Sequence, residues 1–319
     1  MGDAVKVFLQ YEMSDCGKSA FLKRLIPAMK KHGIEISNHI SGASAAFMVT
    51  RDRERICKIP NGMPSLIRMD GINLLDTKKN RWRIKAKIKP GMKRADVIVY
   101  QSAFAKKMLS KITGIKKDSV VIFNGACASE FDINPVKSQY KHNIIMSAKW
   151  YDRNYRGNKR LVEMLNIAGM VRRINKDIGF WVAGEMGDVK CDMDGITPLG
   201  RLPRSELNAY LKKADAMLNI GYYDWCPNAV VEALCAGVPV ICSNQGGVPE
   251  LVQSNGVILN LDENIKPKMM TTATPPAINH TTVVDAVLKV MKKPIKVSCP
   301  YLDINEIARQ YAGTLKGLV

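Results

Sequence analysis

The sequence is poor in the residues that build metal centres and disulfide frameworks. It has four histidines, and its eight cysteines (Cys16, Cys57, Cys127, Cys191, Cys226, Cys235, Cys242 and Cys299) include no C-x-x-C pair. Neither a zinc site nor a stapled secreted scaffold is expected, and a reducing compartment fits best. Acidic residues are scarce beside basic ones, 29 against 48, for a net charge of +19. No apolar run approaches the roughly 18 residues of a membrane span. The start Met1-Gly2-Asp3-Ala4-Val5-Lys6 has neither a signal-peptide pattern nor the Ser or Thr of a myristoylation signal. These absences describe a soluble cytoplasmic protein whose membrane contact, if any, is peripheral.

What is present is enough apolar material for two cores: 319 residues, 46% hydrophobic and 24% charged, at about 100–200 residues per domain. The charge is uneven. Residues 1–140 hold 26 basic and 12 acidic side chains, net +14, and the remainder 22 and 17, net +5. Short apolar runs that read as buried strands recur between helical patterns: Val5–Gln10, Ser65–Met69, Val97–Tyr100, Val120–Phe123, Ile144–Ser147, Phe180–Ala183, Ala216–Ile220 and Val238–Ser243. That alternation predicts parallel α/β sheets in two Rossmann-like domains. The polar stretch Asp132–Ser138 is the candidate linker, Lys266–Thr282 reads as an irregular surface loop, and Val283–Lys292 and Ile304–Leu315 read as closing helices. The expected domains are 1–135, 136–292 and a C-terminal segment 293–319. There is no internal repeat.

The most informative run is Asp224-Trp225-Cys226-Pro227-Asn228-Ala229-Val230-Val231-Glu232-Ala233-Leu234-Cys235-Ala236-Gly237. A strand ends near Ile220, a loop carries Asp224, and Pro227-Asn228 opens a helix that stops at Gly237. Such a helix start offers unpaired N–H groups to a phosphate, and a carboxylate close by can accept hydrogen bonds from a ribose diol. An ordinary βα turn with surface acids is the alternative.

With its surroundings, the run resembles the retaining, nucleotide-sugar-dependent glycosyltransferases of the GT-B fold that carry an E-x7-E motif. The resemblance rests on Ser147-Ala148-Lys149-Trp150 with Arg156-Gly157-Asn158-Lys159-Arg160-Leu161, where the family has G-R-L-x-x-x-K-G. It continues through Ala183-Gly184-Glu185-Met186-Gly187, Leu199-Gly200-Arg201-Leu202 and Ser243-Asn244-Gln245-Gly246-Gly247-Val248-Pro249-Glu250-Leu251. In the first domain Ala95–Ser102 and Val121-Ile122-Phe123-Asn124-Gly125 resemble the family's A-D-x-V-I-x-x-S and P-N-G-V elements.

The resemblance implies two Rossmann-like domains facing each other across a cleft, with the last helix packing back on the first domain. It implies a UDP- or GDP-sugar donor and no metal. Lys149 and Arg156 would neutralise the pyrophosphate, a role that suits their charge, and Glu232 would hold the ribose. Asp224 would hold the sugar hydroxyls, the backbone at Pro227, Asn228 and Ala229 the distal phosphate and sugar, and Gly200-Arg201 would lie against the base. Two departures stand out. Asp224 is one methylene shorter than the usual Glu, and Lys149 and Arg156 reverse the family's Arg and Lys.

In the first domain, Glu12-Met13-Ser14-Asp15-Cys16-Gly17-Lys18-Ser19 follows a strand and precedes an amphipathic helix with Phe21, Leu22, Leu25, Ile26 and Met29. Glycine is missing where Glu12 stands, which excludes a Walker motif. Gly17 still marks a loop able to approach a phosphate or an acceptor, or a plain βα turn. Asp70, in Arg68-Met69-Asp70-Gly71, can orient an acceptor hydroxyl, act as a base, or merely cap a turn. His32 and His39 read as structural. The D-x-D of Asp192-Met193-Asp194 falls in a variable turn and reads as solvated, and Pro203 at the twelfth position excludes an EF-hand.

Lys78–Arg94 carries nine basic and no acidic residues around Trp82. It is a solvated helix face, a membrane-surface patch, or a track for phosphates with Trp82 stacked on a base. The favoured acceptor is therefore DNA, as a hydroxymethylated base displayed out of the stack. A lipid-linked or envelope saccharide at an anionic membrane is the rival, and a non-catalytic nucleic-acid-binding protein on a degenerate transferase scaffold is the third reading.

Overall fold

A computed structural model describes residues 4–14, 16–49, 59–150, 158–261, 268–270 and 274–319. By its internal contacts the chain divides into two units. The first comprises Met1–Ala126, Lys266–Thr271 and Tyr301–Val319, and the second Cys127–Ile265 and Thr272–Pro300.

Among the described residues the first unit holds a parallel sheet in the order β2-β1-β3-β4-β5-β6. Its strands are β1 (Val5–Gln10), β2 (Ile34–Ser37), β3 (Ala45–Val49), β4 (Ser65–Met69), β5 (Val97–Tyr100) and β6 (Ser119–Val121). Central β3 and β4 are buried at every position, as strands covered on both faces must be. Helix α1 (Gly17–Lys30) turns Phe21, Leu22, Leu25 and Met29 inward and leaves Ile26 half-buried. The basic segment forms α2 (Lys78–Arg83), a π-helical turn (Ile84–Ile88) and α3 (Lys89–Arg94); α4 (Ala103–Thr113) follows β5.

The second unit repeats the plan in the order β12-β11-β10-β7-β8-β9. Its strands are β7 (His142–Ser147), β8 (Ile178–Ala183), β9 (Ile196–Gly200), β10 (Ala216–Asn219), β11 (Val240–Ser243) and β12 (Gly256–Leu259). Between them run α5 (Leu161–Ile174), α6 (Arg204–Lys213), α7 (Asn228–Cys235) and α8 (Val248–Val252), and α9 (His280–Lys292) packs beside α5. Ile144, Phe180, Leu218 and Ile241 of the sheet meet Leu165, Ala168, Val283 and Val287 in one core.

Four strands, β2, β3, β9 and β12, are additional to those expected from the sequence. Three of them are sheet edges, four or five residues long with a single buried position each, and β9 carries Pro198, which an edge tolerates. The segment Asp132–Ser138 lies within the second unit, where the Val136 N–H donates to the Ala209 carbonyl at 3.3 Å. The chain passes between units at Ala126–Cys127, and there Ala126 pairs with the returning chain through Ala126 N–H to Leu302 O (3.1 Å) and Ile304 N–H to Ala126 O (3.1 Å). Lys266–Thr282 is not all surface loop. Met270 is buried and bridges Leu75, and α9 already begins at His280.

Helix α10 (Ile304–Lys316) lies on α1. Tyr311, fully buried, sits between Phe21 and Phe47 with ring centroids 6.2 and 5.5 Å away, and the Arg68 guanidinium stacks over Phe21 at 4.5 Å. Removing the Tyr311 ring empties the contact that attaches the last helix. Tyr311→Ala is expected to lower the stability of the first unit by about 3–5 kcal/mol, read as a fall in its denaturant midpoint. An unchanged midpoint contradicts this packing.

Candidate functional site

In the second unit β7 comes first in the chain and occupies the middle of the sheet, with β8 and β9 added on one side and β10 to β12 on the other. The strand order therefore reverses between β7 and β10, and the carboxyl ends of such a pair are where open α/β sheets bind ligands.

The loop after β7 carries Lys149, exposed, followed by buried Trp150, whose indole N–H donates to the Ala183 carbonyl at 2.8 Å. The turn after β8 leans on this loop. Gly184 has φ +115°, and a Cβ there would lie 1.9 Å from the Ala148 carbonyl oxygen, so only glycine fits. Its N–H donates to Gly200 O at 2.7 Å, which ties the end of β9, with exposed Arg201, to the same edge. Arg156 lies outside the described residues.

Farther along the same loop, Asn158 accepts from the Tyr222 N–H at 2.7 Å and joins the β7 and β10 loops. Arg160, wholly buried, holds the junction. Its guanidinium donates to Ile220 O at 3.3 Å and Pro276 O at 2.9 Å and lies over the Tyr222 ring. Asp224 is 8% exposed. Its backbone is clamped by the Gly247 N–H, donating to Asp224 O at 2.7 Å, and by Gly246, where a Cβ would come within 2.4 Å of that oxygen. The Asp224 carboxylate forms an ion pair with the Lys159 ammonium.

Helix α7 starts at Asn228 after Pro227, with no acidic residue in its first turn and no side-chain cap. The positive end of the helix dipole is therefore not offset by a carboxylate in its own first turn, which suits it to an anion. One turn on, Glu232 is 5% exposed and meets Arg204 of α6 at 2.5 Å. Two buried carboxylates thus each hold one cation. Removing a partner from such a pair is costly because a buried charge is left alone.

The first unit gathers a second cluster at its own carboxyl edge. Asp70, just past β4, is 4% exposed. Its carboxylate accepts from Arg68, from Gln101 Nε2 at 2.6 Å, and faces Lys18 Nζ at 3.3 Å, while Arg68 also donates to Asn124 Oδ1 at 2.7 Å. Gly17 is the first residue of α1, one position before Lys18. Just ahead of it, Cys16 stands among Tyr11 (3.3 Å), Ser14 (3.4 Å) and Ser19 (3.6 Å). Burial raises the Cys16 thiol, but hydrogen bonds from Ser14, Tyr11 and Ser19 outweigh that and bring it down to about 6.

Lys159 and Arg204, the partners of the two acids, were not singled out from the sequence, nor were Gln101 and Asn124. A lysine two residues before a helix carries no distinguishing pattern; only the Asn158–Tyr222 junction brings it to Asp224. Two buried amides likewise carry no signal in the sequence. Gln10 ends β1 with neither side-chain amide atom hydrogen-bonded, and Asn219 ends β10 with Oδ1 unpartnered. Both stand at strand ends beside a change of strand order, where a buried unpaired polar atom points to a missing ligand or water. Among the described residues no group of three His, Cys, Asp or Glu is placed to hold a metal ion. Asp194 of the D-x-D pairs instead with Arg172 (2.7 Å) and Lys176 (3.0 Å), and Arg172 leads in holding its carboxyl below the usual range.

Residues 141–273 match the family model described as glycosyl transferases group 1, a span that runs from β7 through β12. Over 69 residues the chain is 38% identical to TuaC of Bacillus subtilis (strain 168), a protein named for glycosyl transfer in teichuronic acid biosynthesis; the match covers 22% of this chain and 16% of that one. Similar solved structures extend over nearly the whole chain. HepE of Anabaena in complex with UDP superposes with TM-score 0.68 at 12% identity, covering 98% of this chain and 100% of that one. Sucrose-phosphate synthase of Thermosynechococcus elongatus gives TM-score 0.65 at 12% identity, covering 97% and 94%. At that identity the likeness is one of fold, and it is the GT-B fold of two Rossmann-like units.

The low thiol at Cys16 has a direct readout. Site-resolved alkylation with iodoacetamide is expected to rise with a midpoint near pH 6 at Cys16, while buried Cys242, pushed up to about 12 by burial, stays unlabelled in the folded protein. A Cys16 midpoint above pH 8 contradicts the hydrogen-bonded thiolate.

Proposed function

We propose, from a second unit that belongs to the glycosyl transferases group 1 family, that this protein transfers a sugar from a nucleoside diphosphate sugar to an acceptor hydroxyl with retention of anomeric configuration. The observation that carries the reading is the pair of buried carboxylates, Asp224 in the loop after β10 and Glu232 one turn into α7, on either side of the helix start at Asn228. Glu232 holds the ribose diol and Asp224 the sugar hydroxyls. The N–H groups at Asn228 and Ala229 receive the distal phosphate, and Gly200-Arg201 bears on the base. Lys149 and Arg156 neutralise charge on the pyrophosphate, so departure needs no metal. Lys159 joins them as a cation beside the sugar pocket. Held by Asp224 in the free protein, it becomes available to a phosphate once donor hydroxyls engage the carboxylate.

The reaction breaks the bond from the anomeric carbon to the phosphate oxygen and forms one from that carbon to the acceptor oxygen on the same face. The acceptor proton passes to the leaving phosphate, so no enzyme nucleophile is required. Asp70, with donors from Arg68, Gln101 and Lys18 already on its carboxylate, serves to orient groups at the acceptor end. UDP-glucose bound to HepE, a protein of similar fold, supports a uridine diphosphate sugar, with a guanosine diphosphate sugar as the alternative.

For the acceptor, the +14 excess of residues 1–140 supports a polyanion in the cytoplasm, and we read it as DNA bearing a hydroxymethylated base. The TuaC match favours a second reading, an envelope saccharide assembled at an anionic membrane, although no helix among the described residues is long and apolar enough to cross one.

A panel of UDP- and GDP-sugars tests the reaction. Slow release of free sugar from at least one member is expected, and neither turnover nor binding with any of them contradicts it. Glu232→Ala removes a charge-assisted hydrogen bond and is expected to weaken donor binding about 10- to 150-fold, with Glu232→Gln intermediate. Unchanged affinity in a folded Glu232→Ala protein overturns the site.

A further inference from the structure

The segment Lys78–Arg94 has a sidedness that its composition does not reveal. Thr77 caps the start by accepting from the Asn80 N–H at 3.1 Å, and Asn80, Ile84, Ile88 and Met92 recur every four residues as the buried row. The π-helical turn Ile84–Ile88 helps hold that four-residue period, which a regular α-helix would let drift. The same period then applies to the next row. Arg81, Lys85, Lys89 and Lys93 line an open groove of about 630 Å³, with Ile112 and Met269 among its apolar walls.

The cations in this groove are not equivalent. Arg81 is committed to Asp76 through two hydrogen bonds of 2.5 and 2.6 Å. Lys85, Lys89 and Lys93 have no ion pair among the described residues. Three uncompensated ammonium groups thus stand in file, about 6 Å apart along the helix, close to the step between phosphates of an extended single strand. Trp82, 56% exposed, follows Arg81 in the chain outside the lining of the groove, and its ring faces Lys87 Nζ at 5.7 Å.

We infer that this groove holds a single strand of nucleic acid, with phosphates on Lys85, Lys89 and Lys93 and an unpaired base turned out of the groove onto the exposed Trp82. The inference rests on the reading of the acceptor as DNA and adds how the strand is gripped. A single strand suits the groove better than a duplex, because stacking on an indole needs a base whose face is free. A bilayer suits it poorly: Trp82 is the one large apolar side chain exposed along the segment, and membrane-surface helices bury a whole apolar face.

The test is fluorescence anisotropy of the full chain with a labelled mixed-sequence 20-nucleotide DNA over a salt series. Vesicles of phosphatidylserine and phosphatidylcholine and an acidic polysaccharide serve as competitors. Three phosphate contacts predict that Lys85→Ala/Lys89→Ala/Lys93→Ala lowers the salt slope of log affinity by about 2. Trp82→Ala is expected to cost roughly 5- to 150-fold in affinity, largely restored by Trp82→Phe, while sugar release from the donor is unchanged in every variant. A triple variant with the wild-type slope, a Trp82→Ala protein with wild-type affinity, or stronger binding of vesicles or polysaccharide than of DNA overturns the inference. Donor turnover without DNA binding leaves the transferase reading standing and removes the groove. DNA binding with the expected losses but no turnover does the reverse.

Discussion

The seating of the Asp224 backbone against Gly246 and Gly247 is the constraint on which the donor end of this protein depends. Gly247 donates to the Asp224 carbonyl and Gly246 leaves no room for a side chain beside it, so the β10 loop is pressed against the loop after β11. The Asn158–Tyr222 hydrogen bond and the buried Arg160 guanidinium press it equally against the loop after β7. Three loops from three neighbouring strands converge, and the Asp224 carboxylate is delivered to the divide between β7 and β10 rather than to solvent. The short side chain follows from this geometry: with Lys159 close enough to pair with it, an aspartate already meets its cation.

Charge is used differently in the two units. In the second, Lys159, Arg204 and Arg172 each meet a carboxylate, and the half-chain carrying them is nearly balanced. In the first, Lys85, Lys89 and Lys93 stand in file without such partners among the described residues, while Arg68 and Lys18 converge on the buried carboxylate of Asp70. Cations held by acids set geometry. Cations left without them set what the surface attracts.

Much of this was legible beforehand, for reasons that differ by element. Central strands such as Ser65–Met69 and Val97–Tyr100 are apolar runs bounded by turn residues, and their limits in the structure coincide with those read from sequence. Edge strands β2, β9 and β12 were not legible, because each is only four or five residues long and β9 includes a proline. Asp224 and Glu232 stood out by spacing. Their partners did not: Lys159 reaches Asp224 only through a junction between distant loops, and Arg204 reaches Glu232 from the preceding helix. Gln10 and Asn219 look like ordinary strand-end amides until burial leaves their polar atoms without partners.

The most direct measurement of the central claim is a structure of the protein with a bound nucleoside diphosphate sugar. The account places the diphosphate at the N–H groups of Asn228 and Ala229, the ribose on Glu232, and sugar hydroxyls on an Asp224 carboxylate that has released Lys159 toward the phosphates. A diphosphate bound elsewhere, or a donor at that site with the Lys159–Asp224 pair untouched and Glu232 still closed on Arg204, would contradict it.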